Sequence, residues 1–358
     1  MQLRELRAEN LRNLETLCVE FAPGLNVIEG GNGAGKTSIL EGAYVLSHGS
    51  SFRTHKPEHL IRGDTILALF ARVDVRGVEH RIGIQRESGR WAARLDGGSS
   101  TTLLDLFALC AVVCFEPGSH ALISGSAEGR RRYLDWGLFH VEPEFANWSR
   151  RYRRALRQRN ALLKQTDDDS ALEIWDQELA AAAEPLTDAR QHYLSALGDE
   201  LGSILAAFLP ELGVSSVVFK PGWDRAVPLR QALTEASFRD RTLGHTTRGP
   251  HRADWVLTFE RAPVHEQLSR GQEKLCAIAC MLAQATLYRK GIGEWPIVAL
   301  DDFCSELDEA HQELCLRALV DSGAQILLTG TKLPKSLTDH FPPARRFHVE
   351  QGKVQALL

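Results

Sequence analysis

The 358-residue sequence has no long apolar run; its most apolar stretch, Leu103 to Phe115, is short and carries Asp105. A membrane span needs about 20 apolar residues, so a transmembrane chain is not expected. The N-terminal MQLRELRAENLRN is charged and lacks the apolar core of a secretory signal. The seven cysteines (Cys18, Cys110, Cys114, Cys276, Cys280, Cys304 and Cys315) include no CxxC pair and no zinc-like spacing. Their odd number and apolar neighbours point to buried thiols in a reducing compartment, hence a cytoplasmic protein. Neither charge dominates: 42 Lys and Arg against 46 Asp and Glu leave a formal charge of -4. The chain as a whole therefore lacks the basic footprint of a nucleic-acid-binding domain. With 44% hydrophobic residues and ordinary glycine and proline, it is neither disordered nor fibrous. Internal repeats are absent, as is any run of three clean heptads.

What is present is a change of pattern along the chain. Residues 1–125 alternate strand and helix signals: a strand over Leu25–Glu29, a helix from Thr37 to about Ser47, and strands over Ile66–Val75, His80–Gln85 and Ala111–Phe115. From Glu128 to Lys164 ten basic residues face four acids, whereas Asp167 to Glu200 has ten acids and the single base Arg190. Both stretches carry apolar residues at helical spacing, with Pro185 expected to break or kink the second. Alternation returns after about Leu243, with a strand over Trp255–Glu260, a helix over Arg270–Lys290, and the apolar runs Ile297–Leu300 and Ile326–Leu328 that mark buried parallel strands. The expected organisation is an α/β head made of 1–125 with 245–358, and an inserted, mainly helical arm over 126–244.

Residues 30–37 read GGNGAGKT and match G-x-x-x-x-G-K-[ST] through Gly30, Gly35, Lys36 and Thr37. Glycines let the chain turn tightly and aim successive N–H groups at phosphate oxygens. Lys36 can reach the β- and γ-phosphates, the Thr37 hydroxyl can bind Mg²⁺, and the helix that follows adds the positive end of its dipole. A plain glycine-rich turn is the competing reading, but the strand before and the helix after are the context the motif requires. Gly30, Gly31, Asn32, Gly33, Ala34, Gly35, Lys36, Thr37 and Ser38 are thus the expected ATP-binding residues. Further on, an apolar strand ends in Asp301-Asp302. A carboxylate at such a strand end can hold Mg²⁺, here Asp301, and the next one, Asp302, can take a proton from an attacking water. Alone this pair would read equally well as a strand-end turn.

The order of phosphate loop, Leu268-Ser269-Arg270-Gly271-Gln272, Asp301-Asp302 and Ser305-Glu306-Leu307-Asp308 resembles the ABC-type ATPases. The resemblance implies an ABC-type P-loop head in which Ser269, Gly271 and Gln272 open a helix that caps the γ-phosphate held by a partner subunit, so that ATP closes a symmetric homodimer. Between Thr37 and Leu268 lie 230 residues, far more than in transporter ATPases. That spacing, with a short helical insertion, resembles the SMC-like DNA-repair branch. Asn10–Asn13, Gly49–Thr54, Glu128–Gly137 and Gly249–Asp254 match its short-armed members. The resemblance then implies ATP-dependent binding of single- and double-stranded DNA and junctions, action at gapped DNA and stalled forks in repair and the SOS response, and recombinase loading with the partner proteins RecR and RecO. Four positions depart from the pattern. Arg270 replaces the transporters' Gly, Asp302 replaces the commoner Glu, Thr331 stands where a His usually meets the γ-phosphate, and Glu116-Pro117 stands where a Gln usually meets the metal. With Asp302, Lys36 and Thr331 as the catalytic set, a slow, switch-like ATPase is expected.

Other charged residues carry two readings each. Arg12 and Asn13 are candidates for phosphate or adenine contact, or form a surface turn. His251 and Arg252 line a nucleotide or dimer surface, or sit in a satisfied turn. Arg130 to Arg132, the run Arg150 to Arg159, and the pair Arg53 and Lys56 are either solvated charge or DNA-phosphate contacts. Two other functions remain open: a transporter-type ATPase subunit, which the long insertion disfavours, and an ATP-gated nuclease, which needs a carboxylate-rich domain beyond the 50 residues that follow Asp308.

Overall fold

A computed structural model of the chain describes residues 1–54, 56–63, 66–87, 89–98, 102–165, 169–331, 339–341 and 343–357. Asp167 and Asp168 of the acidic stretch lie outside these. In chain order the elements are β1 (Gln2–Leu11), β2 (Leu14–Glu20), β3 (Leu25–Gly30), α1 (Lys36–His48), β4 (Leu67–Val75), β5 (Val78–Glu87), β6 (Arg90–Leu95), α2 (Leu103–Leu109), β7 (Val112–Phe115), α3 (Ala121–Ser124), α4 (Ala127–Val141), α5 (Phe145–Gln165) and α6 (Asp169–Phe208). They continue with β8 (Ser215–Lys220), α7 (Leu229–Leu243), β9 (Asp254–Phe259), α8 (Arg270–Ile292), β10 (Ile297–Leu300), α9 (Phe303–Glu306), α10 (Glu309–Asp321), β11 (Ile326–Gly330), β12 (Arg345–Glu350) and β13 (Lys353–Leu357).

Two compact units result: Met1–Ser119 with Ala277–Leu358, and His120–Cys276. The second unit is longer than the expected arm of 126–244. Residues 245–276 belong with it because β9 pairs with β8 from the arm, which sequence alone read as helical. The Ser269–Gln272 segment is therefore part of the second unit.

The first unit holds two sheets. One is antiparallel, in the order β2-β1-β4-β5-β6, and the other runs β13-β12-β3-β11-β10-β7. Within the second sheet every neighbouring pair from β12 to β7 is parallel, and only β12–β13 is antiparallel. Strands β10 and β11 are buried at every residue, which explains their unbroken apolar sequences. Helix α1 contacts β1 from the first sheet and β3, β7 and β11 from the second. It is buried around nearly its whole circumference, so it lacks a polar stripe. The antiparallel strands were less visible in sequence because they alternate with charge. On β2, Leu17 and Val19 point inward while Cys18 points out, so this cysteine is exposed, contrary to the expectation of a buried thiol.

In the second unit, α5 buries Ser149, Tyr152, Ala155, Arg159 and Leu163, a spacing of three and four residues. Tyr152 and Ala155 join Leu179, Ala182, Ala183, Trp223 and Leu233 in one apolar cluster. Helix α6 runs unbroken over 40 residues through Pro185, so the expected break does not occur. Ala182, Ala183 and Leu186 pack on both sides of the proline and offset its missing hydrogen bond. Arg159 is fully buried. Its Nε donates to Asp176 at 2.5 Å, and its Nη1 donates to Asp240 at 2.6 Å and to Thr246 at 2.9 Å. Removing the cation would leave two buried carboxylates facing each other. Arg159→Ala should therefore lower stability in urea denaturation by about 3–5 kcal/mol, whereas the exposed Arg157→Ala should change it by less than about 0.5 kcal/mol.

Candidate functional site

The parallel strands of the first unit end together, and their carboxyl ends are where an open α/β sheet binds ligands. Strand β3 delivers Gly30 and the loop to Gly35; β10 delivers Asp301 and Asp302; β11 between them delivers Thr329, Gly330 and Thr331. The loop's shape depends on glycine at two points. Gly35 has φ 116°, and a Cβ there would lie 2.8 Å from Leu14 Cδ2; a Cβ on Gly30 would lie 2.2 Å from the Val349 carbonyl oxygen of β12. From the other side the Gly352 N–H, in the β12–β13 turn, donates to the Ala34 carbonyl at 2.9 Å. Gly31, Asn32 and Gly33 stay exposed.

Lys36 is buried, and its Nζ donates to the carbonyls of Gly30 and Gly31, both at 3.0 Å. The ammonium thus stands folded over the loop where phosphate oxygens would replace those carbonyls. Thr37 Oγ1 donates to Asp301 Oδ1 at 3.0 Å, and Thr329 Oγ1 donates to the same oxygen at 2.7 Å. Thr329 also accepts the Asp302 N–H at 2.9 Å. Burial pushes the Asp301 carboxyl above the usual carboxylate range, opposed by the hydrogen bonds from Thr329 and Thr37. A buried carboxylate beside a half-buried threonine hydroxyl is a hard-oxygen pair suited to Mg²⁺, which keeps waters and phosphate oxygens in its remaining positions. Asp302 adopts the left-handed conformation at φ 45° and ends half-buried at the start of α9. Thr331 follows β11 and is exposed.

Arg12 and Asn13 form the β1–β2 turn. Asn13 is built into the loop: its Nδ2 donates to the Gly33 carbonyl at 3.0 Å, and its Oδ1 accepts from Ser38 Oγ at 3.1 Å. The Arg12 guanidinium is instead paired with Glu41 of α1, at 2.8 and 2.6 Å. Glu116 closes its own turn, accepting the Gly118 N–H at 2.6 Å. Sequence reasoning missed Thr329, Glu41 and Gly352. A hydroxyl closing the apolar run of β11 is the signal that would have found Thr329; Gly352 gave none, since its role comes from a hairpin at the far end of the chain.

The signature segment lies in the second unit. Ser269 Oγ accepts the Gln272 N–H at 3.3 Å, and Gln272 Oε1 accepts the Ser269 N–H at 2.9 Å. This reciprocal cap starts α8 and leaves the N–H groups of Arg270 and Gly271 without an acceptor among the described residues. All four residues, Ser269 to Gln272, have solvent access.

The basic residues of the second unit divide sharply. Arg130 forms a two-point pair with Asp254 at 2.7 and 3.0 Å, Arg131 donates to the Ala253 carbonyl at 2.6 Å, and Arg190 donates to the Pro250 carbonyl at 2.8 Å. They hold the Gly249–Asp254 segment. On α5, Arg159 is core. Arg150, Arg153, Arg154 and Arg157 are exposed and make no ion pair with a described residue. Their spacing puts all four on one face of the helix.

His251 is held between the Tyr152 hydroxyl at 2.6 Å and the Thr246 carbonyl at 2.9 Å, and burial pushes its pKa down to about 4. It is thus a neutral, structural residue rather than a free ligand. The unfolded chain takes up a proton at this histidine near the ordinary value of about 6.5, while the folded one does not until about 4. Stability should therefore be intact above about 6.5 and fall as pH drops toward 4. Urea denaturation across that range should show a shallower fall for His251→Gln.

Three comparisons bear on this arrangement. The family model described as RecF/RecN/SMC N terminal domain matches residues 2–336. The chain is 47% identical to the DNA replication and repair protein RecF of Stenotrophomonas maltophilia, with both chains covered in full, and 39% identical to that of Shewanella baltica, again in full. A solved structure of the recombination mediator protein RecF with ATP matches at TM-score 0.90 and 25% identity, covering 99% of this chain and 97% of that one. The Smc head domain of Pyrococcus furiosus matches in fold at TM-score 0.57 and 15% identity, covering 99% and 96%.

Proposed function

The chain belongs to the RecF/RecN/SMC family, and on that premise we propose that it is an ATP-switched DNA-binding recombination mediator of the cytoplasm. ATP closes two copies into a symmetric dimer that acts at gapped or stalled-fork DNA and helps load recombinase with RecR and RecO. The observation that carries the reading is the shared oxygen of Asp301, which ties the phosphate-loop threonine to the strand-end acid.

The chemistry follows from these groups. Loop N–H groups and Lys36 bind the phosphates, and Asn13 and Ser38 keep the loop in shape. Bound Mg²⁺, held by Thr37 and Asp301, would neutralise charge on the β- and γ-phosphates. Asp302 accepts the proton of the attacking water, and Thr331 offers a neutral hydrogen bond. The short Asp302 side chain, coming from a left-handed residue, suits slow turnover and a long-lived closed state. The Ser269 helix end of the second copy supplies N–H groups to the γ-phosphate, so closure reports that ATP is intact. The Arg150, Arg153, Arg154 and Arg157 face binds DNA phosphates without reading bases.

Lys36→Ala should abolish ATP binding in a fluorescent-nucleotide titration. Ser269→Arg should bind ATP but remain monomeric by light scattering; a Ser269→Arg dimer in ATP would sink the sandwich. Alanine at the four arginines should weaken duplex binding and make the logarithm of affinity less steep in log salt by about 0.9 per lost phosphate contact. An unchanged slope would remove α5 from the DNA surface.

A further inference from the structure

The phosphate loop is held from outside by the turns of two hairpins. Asn13, in the β1–β2 turn, donates through Nδ2 to the Gly33 carbonyl at 3.0 Å. Gly352, in the β12–β13 turn, donates its N–H to the next carbonyl, that of Ala34, at 2.9 Å. The two hairpins belong to different sheets, and their edge strands β2 and β13 lie against each other.

Gln351 and Gly352 alone join β12 to β13, with φ 47° and 79°. Positive φ at both positions matches the twist of a two-residue hairpin. Neither residue belongs to the ladder, so the Gly352 N–H can bond outward. The approach is close: a Cβ on Gly352 would lie 3.2 Å from the Asn13 carbonyl oxygen and 3.6 Å from Leu14 Cδ2. Glycine therefore meets two demands at once, one of conformation and one of space.

A trans peptide plane carries its C=O and its N–H on opposite edges, and the Ala34–Gly35 bond is trans. Holding the Ala34 carbonyl toward Gly352 thus turns the Gly35 N–H away from the hairpin. In the same way the hold of Asn13 on the Gly33 carbonyl turns the Ala34 N–H to the other side, where it meets the Gly31 carbonyl at 3.2 Å. The Gly35 N–H has no acceptor among the described residues. It caps the start of α1, at the positive end of the helix dipole, where an anionic oxygen is favoured.

We propose that Gly352 is a positioning residue for nucleotide binding: through the Ala34 carbonyl, the C-terminal hairpin presets the Gly35 N–H toward bound phosphate. The proposal rests on the nucleotide reading given above. With this peptide plane already set, less ordering is left for the loop to undergo when phosphate arrives. The end of the chain thus tunes the affinity of a loop near its beginning.

The test uses the full-length chain. Gly352→Asn keeps a residue that tolerates positive φ and adds the Cβ that meets Asn13. Amide hydrogen exchange at position 352 should speed up by about tenfold, as the tie to Ala34 opens. Affinity for ATP and for ADP should each fall by about tenfold in a fluorescent-nucleotide titration, because both place phosphate in the loop. KM should rise while kcat stays within about twofold, since the same N–H serves ground and transition states. Gln351→Asn, at the exposed position of the same turn, should bind both nucleotides within about twofold of the wild type. Undiminished affinity in Gly352→Asn overturns the proposal, and so does a fall in kcat at constant KM. Faster exchange throughout β3 and β11 alongside the affinity loss overturns it as well, because the turn then supports the sheet and not the loop. An equal loss in Gln351→Asn overturns it by assigning the effect to the shape of the turn alone. A wild-type chain that binds neither nucleotide overturns the nucleotide reading and this proposal together, whereas equal binding by the wild type and Gly352→Asn overturns this proposal alone.

Discussion

One oxygen, Asp301 Oδ1, holds the candidate site together. It receives hydroxyls from Thr37 at the start of α1 and Thr329 at the end of β11, residues brought from opposite ends of the sequence. For both bonds to form, β3, β11 and β10 must lie side by side and end at the same level, as the parallel register from Leu25 to Leu300 arranges. That register in turn needs both sheet faces covered, because the strands carry no polar face. The site and the core are thus one construction: α1 both seals the sheet and carries the phosphate loop.

The second unit uses charge in two different ways. Arg159 and Arg190 are buried against carboxylates and carbonyls, where loss of one partner leaves uncompensated charge. Arg130 and Arg131 clamp the Gly249–Asp254 segment. The outer stripe on α5 is exposed and makes no ion pair with a described residue. A strongly basic segment of sequence therefore supplies both a skeleton, through Arg130 and Arg131 on α4 and Arg159 on α5, and a surface, through the exposed arginines of α5. The chain can keep a net charge of -4 and still expose a row of arginines on one helix face.

The phosphate loop, the two strand-end acids, the signature segment and the parallel strands were legible because each depends on short-range pattern: glycines and a lysine at set spacing, or an apolar run closed by Asp. The limits of the second unit were not legible, since β8 and β9 recognise each other across the intervening α7. Pro185 read as a break or a kink because local propensity disfavours it, and the helix nonetheless continues through it, with buried residues on both sides. Cys18 read as buried from its apolar neighbours, whereas strand alternation turned it outward.

Sequence alone determined which chemistry the chain can carry, because side-chain types and their local spacing set what a loop or strand end can bind. Tertiary structure decided which charges are used. Arg12 met Glu41, Arg159 met two aspartates, and four neighbouring arginines met none among the described residues. The reason is physical: burial makes an unpaired charge costly, and burial is a property of the whole fold, which no local stretch of residues carries.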